Sequence, residues 1–313
     1  MCGIADSKTQ LRRCKTRKVN ALTEFPVSIE ITFQNNTRRL RFRFRPLRVP
    51  TSGDGLFASG SIIRRVYADA ALNFGAGRAL LLQIAHPSVA AAVSEHSDFG
   101  RRPLDRLFGT LYALNVVIYG SRSEAARIGA AVGRVHERVA GPNYYALDPE
   151  LLCWVNATLT RTAIDLYQLL IRPLSRAELD EFVAEARKIG AVFGCPIAVQ
   201  PGTWVEFCSY WDGMIASLTI SDAARRICRS LMRGVGLPLR PVWLPLIMVH
   251  RAVAAALLPE RLRVEFELPW RRRERIIAPL ALRAAAAILP LMPERWRQRG
   301  PEFFLPPRCE GPG

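Results

Sequence analysis

Helix starts are written into this chain at four separate places. Ser121 with Glu124, Ser175 with Glu178 and Thr203 with Glu206 each put a hydroxyl three positions before a glutamate. At that spacing the hydroxyl takes one orphan backbone N–H of the first turn and the carboxylate takes another. Asp148 followed by Pro149 supplies the fourth start, an N-cap ahead of a proline whose missing N–H costs nothing at the first helical position. Between these markers the apolar spacing predicts helices at roughly 61–74, 77–95 broken at Pro87, 102–119, 122–139, 149–171, 176–192, 204–217, 222–234, 242–258 and 273–288. Strands do not alternate with helices, which excludes a doubly wound sheet. No internal repeat appears, and Gly75-Ala76-Gly77 is too short for a phosphate loop and follows no strand. The expected fold class is therefore all-α, a single multi-helix domain over residues 51–313.

Residues 1–50 read differently. They carry twelve Lys/Arg against Asp6, Glu24 and Glu30, a large part of the formal +17 of the 313-residue chain. Val27, Ile29, Ile31 and Phe33 alternate, Asn35-Asn36-Thr37 offers a turn, and Leu40, Phe42 and Phe44 alternate again. This basic segment is expected to be disordered or a short hairpin. Beyond Lys18 the only lysine is Lys188, so arginine carries almost all other positive charge beside many alanines. That pattern fits the codon bias of a GC-rich genome better than a nucleic-acid footprint, and no nucleic-acid partner is expected.

The seven cysteines, at 2, 14, 153, 195, 208, 228 and 309, form no CxxC pair and no regular framework. A reducing compartment fits them, and the N-terminus shows no apolar signal-peptide core, so the expected localisation is cytoplasmic without a signal peptide. Two apolar stretches, Val242 to Leu258 and Ile276 to Leu291, are interrupted by His250 and Arg251 and by Arg283. Each falls short of a clean span, so packed core helices are expected. A peripheral membrane contact through the basic N-terminus or these C-terminal helices is the lesser option. Oligomeric state is not legible.

Four histidines bear on chemistry. In the helix predicted at 122–139, Ile128, Val132, Val135 and Val139 form the expected buried stripe, and His136 sits at its edge, four residues after Val132. An inward histidine of this kind is more often a core residue with satisfied ring nitrogens than a metal ligand. On the preceding helix Arg106 and Thr110 stand one turn apart beside Leu104, Leu107, Leu111 and Leu114. If buried, such an arginine demands an anion: a salt bridge to Asp98, Asp105 or Glu137, or the carboxylate of a bound group. His86 precedes Pro87 at a helix break, where a ring nitrogen often serves the backbone. His250 in the apolar C-terminal part reads as structural, and Trp204, Tyr210 and Trp211 at helical spacing read as core.

Several segments in order carry a family resemblance: Arg78 to Pro87, Glu95-His96-Ser97-Asp98-Phe99, Pro103 to Thr110 with Arg106, Arg134-Val-His136 to Gly141, and Tyr145 to Val155. Together, from about Gly53 to beyond Tyr210, the chain resembles the MpaB-type oxygenases and latex clearing proteins (rubber oxygenases), long catalogued as a domain of unknown function. The resemblance implies a globin-like helical core that holds haem b through one histidine and uses dioxygen to oxidise or cleave a carbon–carbon double bond of an isoprenoid or other hydrophobic, unsaturated lipid-like substrate. Carried over by position, His136 becomes the axial ligand of the haem iron, and Arg106 and Thr110 the arginine and threonine of the haem pocket. His86 is a further cofactor-binding candidate, and His96 and Glu95 are catalytic candidates.

Two positions depart from the family pattern. Asn156 stands where many relatives have a histidine, and Gly109 where the latex clearing protein has a lysine beside the motif threonine. Glu95, Asp98 and Asp148 are possible counterparts of that enzyme's carboxylate base, although Asp148 also reads as a plain helix cap. The alternative to an oxidoreductase is a non-catalytic haem- or lipid-binding protein of the same fold.

Overall fold

The structure is a computed structural model, which describes residues 28–31, 40–43, 54–96, 103–232 and 240–298. It is mainly helical. Two short strands near the N-terminus, β1 (Ser28–Ile31) and β2 (Leu40–Arg43), pair antiparallel with Ile29 opposite Phe42 and Glu30 opposite Arg41. The helices follow in the order α1 (Ile62–Tyr67), α2 (Ala76–Ala85), α3 (Pro87–His96), α4 (Pro103–Tyr119) and α5 (Arg122–His136). A small hairpin of β3 (Ala140–Gly141) and β4 (Tyr144–Tyr145) leads into α6 (Pro149–Leu170). Then come α7 (Arg176–Val192), α8 (Trp204–Ser217), α9 (Asp222–Met232), α10 (Arg240–Ala256), α11 (Glu260–Glu265), α12 (Arg272–Ile288) and α13 (Glu294–Arg297).

All four sequence-encoded starts are built. Ser121 Oγ accepts from Glu124 N at 3.2 Å while Ser121 N donates to Glu124 Oε2 at 2.9 Å. Ser175 with Glu178 and Thr203 with Glu206 repeat the exchange. Asp148 Oδ1 accepts from Glu150 N at 2.8 Å, so Asp148 is the plain cap of α6. Two predicted boundaries moved. The helix expected at 61–74 divides into α1 and a 3-10 turn at Ala70–Gly75, because Asp69 leaves the helix to cap that turn and accept from Ala71 N. The helix expected to reach 139 stops at His136, since β3 and β4 draw the next residues into a hairpin.

The longest helix, α6, organises the rest. Thirteen of its residues are buried, on nearly every side of the helix. One apolar cluster, from α2, α3, α8, α9, α10 and α11, meets it around Trp154 and Ala157; a second, from α1, α4 and α7, meets it around Ala163, Ile164 and Tyr167. Trp154 is fully buried, stacks on Trp211 with centroids 5.4 Å apart, and donates its indole N–H to Leu82 O at 3.1 Å. The expectation that Trp211 is core is met. Further along, Arg161 lies over the rings of Trp204 and Trp211 and pairs with Asp165, which also takes the buried Arg78 at 2.6 Å.

Polar groups from distant segments close the fold. Glu185 on α7 accepts from Ile63 N at 2.9 Å and so caps α1. Asp69, fully enclosed, is bonded to Arg297 at 2.6 Å, which ties α13 back to the first helices. The C-terminal half of α10 is core at Ala252, Val253, Ala254 and Ala255, whereas α12 buries mainly Glu274, Ala278 and Ala285. No helix among the described residues is long and apolar enough to cross a membrane.

α10 crosses α2 at Gly77. A Cβ there would stand 2.9 Å from both His250 Nε2 and Ala254 Cβ, so only glycine lets the helices approach this closely. Gly77→Ala should cost about 1–3 kcal/mol in urea denaturation. Burial holds both His250 and His86 below the usual histidine value, which favours their neutral forms in the folded state. The unfolded chain then binds more protons, so stability is complete above about pH 6.5 and falls as pH drops through that value. His250→Gln should remove its share of this acid-side loss, read as a shallower dependence of the denaturation midpoint on pH between neutrality and pH 5.

Candidate functional site

The segments singled out in the sequence converge on α3, α4, α5 and the β3–β4 hairpin. α4 and α5 form an antiparallel helical hairpin turning at Gly120 and Ser121. Counting back along α4 places Thr110 and Arg106, and counting forward along α5 places His136, all at roughly 15–22 Å from that turn. The three therefore lie at the same end of the helix pair, with Arg106 one turn before Thr110. The side chains of residues 103–108, Arg106 included, lie outside the described residues, as does Asp98.

α5 departs from the expected burial. Its fully buried residues are Ala125 and Gly129, while Ile128, Val132, Val135 and His136 are half-buried. The reason is size. At Gly129 a Cβ would come within 2.3 Å of Val192 O, so the helix lies against the end of α7 through its smallest residues. By helical spacing Val132 and His136 continue the stripe of Ala125 and Gly129 past the contact with Val192, where they are half-buried, with Ile128 and Val135 to one side. His136 ends the helix on that face, with Nδ1 shut off from solvent although the residue as a whole is half-buried. Its carbonyl accepts from Val139 N at 2.9 Å, turning the chain into the hairpin.

That hairpin receives two more candidates. His96, the last residue of α3, has Nε2 3.2 Å from Ala140 O and packs edge-on against Tyr144 at 6.0 Å. Glu95 beside it accepts from the Tyr144 hydroxyl at 2.6 Å. Burial, reinforced by Glu95, raises the phenol well above the ordinary tyrosine value, so Tyr144 remains a proton donor at any working pH. Tyr144 was missed as a site residue in the sequence. The signal was present in Gly141-Pro142-Asn143 between Val139-Ala140 and Tyr144-Tyr145, a turn between two short strands.

His86 is used elsewhere. It caps α2 in extended conformation at the opposite end of α3 from His96, about 15 Å away along a ten-residue helix. Its Nδ1 is buried without a hydrogen-bond partner among the described residues, and its charged neighbours are Asp148 and Glu150 at the start of α6. Those carboxylates favour protonation, yet burial outweighs them and the ring stays neutral. The structure thus groups His96 and Glu95 with the hairpin that follows His136, and sets His86 apart.

Asn156 has a structural use that explains its departure from the pattern. Its Nδ2 donates to Ala186 O and to Gln200 Oε1, both at 3.0 Å, and Gln200 in turn donates to Arg187 O and Cys195 O. The residue ties α6 to α7 and to the segment after it. No group of three or more His, Cys, Asp or Glu side chains that could hold a bare metal ion occurs among the described residues. A single-histidine group is a different requirement, and the residues present fit it. A half-buried imidazole ends a half-covered valine face, with a threonine and an arginine position at the same end of the neighbouring helix.

The described family of "ER-bound oxygenase mpaB/B'/Rubber oxygenase, catalytic domain" matches residues 64–290, from within α1 to the 3-10 turn Leu289–Leu291. An uncharacterised protein of Mycobacterium tuberculosis and another of Mycobacterium bovis are each 31% identical over 219 residues, covering 65% of this chain and 85% of the relative. No solved structure matches the chain significantly.

Tyr144→Phe should remove the Glu95 hydrogen bond and lower stability by about 1 kcal/mol, since Glu95 is exposed and water replaces the lost donor. The urea midpoint reads the change. Asn156→Ala should cost more, because it leaves the buried Gln200 Oε1 without its donor and removes the tie from α6 to α7.

Proposed function

This chain belongs to the family of mpaB/B' and rubber oxygenase catalytic domains, an oxygenase family, and we propose that it is a haem b-dependent member acting on an unsaturated, lipid-like substrate. The observation that carries the reading is His136: an imidazole at the end of a half-covered apolar helix face, level with Arg106 and Thr110 on the adjoining helix. In this reading His136 would hold the haem iron through a ring nitrogen, Arg106 would neutralise a carboxylate of the group, and Thr110 would offer it a hydroxyl. Bound haem supplies dioxygen binding and activation at iron, the step that no side chain of this protein performs.

The chain's own part is to bind, orient and keep water out. Val132, Val135 and Val139 give an apolar wall beside His136, suited to a flat macrocycle and to a hydrocarbon substrate. Gly109, next to Thr110, carries no side chain to reach over the site, so the approach on that side depends on neighbouring residues. Tyr144, held protonated and bonded to Glu95, anchors the hairpin that begins four residues after His136. His96, bonded to that hairpin at Ala140 O, helps to fix where the imidazole sits. The substrate class in this reading is a hydrophobic alkene such as an isoprenoid, converted to oxygenated or carbonyl products.

The absorption spectrum of protein produced with added haem tests the cofactor. The wild type should show a Soret band, and His136→Ala should abolish it. Arg106→Ala should keep the band but lose haem to apomyoglobin roughly tenfold faster. A colourless wild type after haem supplementation would sink the proposal. Oxygen uptake with an isoprenoid oligomer tests the reaction separately. A Soret band without uptake across a series of unsaturated lipids would reduce the protein to a haem holder.

A further inference from the structure

α12 is two-sided in an unusual way. Its inner face buries Glu274, Ala278 and Ala285, while Ile276 and Leu280 point into solvent, Leu280 being 64% exposed. At 100° per residue, Arg272, Ile276, Leu280, Arg283 and Ala287 fall on one outward stripe. The chain continues in the same character, with Ile288 exposed, Leu291 83% exposed and Trp296 56% exposed. Thirteen large apolar residues are exposed among the described residues, and five of them lie in this one stretch of 276–296. Scattered exposed leucines are ordinary, but Ile276 and Leu280 share one face of α12 among exposed arginines, and Ile288, Leu291 and Trp296 are exposed in the segment that follows, so this stretch concentrates apolar surface that a partner can cover.

The charge around that stripe says what covers it. Arg271, Arg272, Arg273, Arg275, Arg283 and Arg295 are all exposed, whereas the single exposed acid among described residues 271–298 is Glu294. Glu274 is turned inward, accepting from Arg271 N and pairing with Arg273. A second copy of the chain is a poor occupant, since a two-fold contact across this face would set arginine against arginine. Nucleic acid would use the arginines but leave Ile276, Leu280, Leu291 and Trp296 in water. An anionic bilayer satisfies both features, taking the apolar side chains at the acyl boundary, the tryptophan at the headgroup level and the guanidinium groups against lipid phosphates.

We propose that the outward face of α12 carrying Ile276 and Leu280, together with the exposed apolar segment after it, is a peripheral docking surface for membranes rich in anionic lipid. It lies on the helix and not on residues 1–50, and it does not depend on the haem reading. The face binds in the plane of the headgroups, with α12 parallel to the surface.

Co-sedimentation of the full chain with vesicles is the test. Equimolar phosphatidylcholine and phosphatidylglycerol vesicles should capture the protein, and pure phosphatidylcholine vesicles should capture at least about tenfold less. The double variant Ile276→Asp with Leu280→Asp should lose about tenfold or more in partitioning. Both positions are exposed, so its helix content and melting midpoint should match the wild type. Arg272→Gln with Arg275→Gln should weaken capture and flatten its salt dependence. Equal capture of the Asp variant and the wild type, or loss of capture on deleting residues 1–50 alone, overturns the proposal. So does a dimer that the Asp variant splits on a sizing column without any vesicle binding by the wild type. A face already covered by residues 299–313 would bind vesicles only once they are removed, and that result overturns it as well.

Discussion

Everything in this protein is arranged around a helix that has almost no exposed side. Burying α6 removes water from most of its length, so its polar groups must find partners inside the protein. Its backbone does so by being a helix. Thr158 and Thr160 bond back to Val155 O and Asn156 O, Trp154 reaches Leu82 O, and Asn156 reaches α7 and Gln200. Arg161 is neutralised by Asp165 and sandwiched by two tryptophans. The bonds of Trp154 and Asn156 and the ring contacts of Arg161 also reach neighbouring elements, which is how a single helix sets the positions of the elements around it.

The site inherits its geometry from the two ends of that arrangement. α6 begins at Asp148, three residues after β4, so the hairpin carrying Tyr144 is held against the start of the central helix. α3 packs on the hairpin from the other side and delivers His96 and Glu95 to it. The same hairpin leaves α5 directly at His136. The candidate ligand is thus placed by a short, well-anchored connection and not by a long loop, which suits a residue asked to hold a group in one orientation.

Partial burial sets α5 and α12 apart from α6. α5 approaches α7 through Ala125 and Gly129, while its valines and His136 are only half-buried. α12 does the same against α10 and α6, presenting alanines inward and Ile276 and Leu280 outward. In both cases an apolar face is left for something other than the protein core: on α5 the proposed prosthetic group, on α12 the proposed lipid surface. Small residues at helix contacts make both faces available.

Local chemistry was sufficient to read the helices from the sequence. A capping box needs only residues three apart, and the three boxes and the Asp148 cap appear where the spacing puts them. The family was legible as well, through motifs in register from Arg78 to Val155, and with it His136, Arg106 and Thr110 as positions on two adjoining helices. What tertiary structure decided were matters that depend on residues far apart. Asp69 leaves its helix to meet Arg297, 228 positions away. Tyr144 finds its partners Glu95 and His96 on another helix. α5 meets the end of α7 at Gly129 and Val192, a contact no periodicity within α5 could show. A helix's own pattern gives the direction of its apolar side, whereas how completely that side is covered is set by the sizes of the residues it meets.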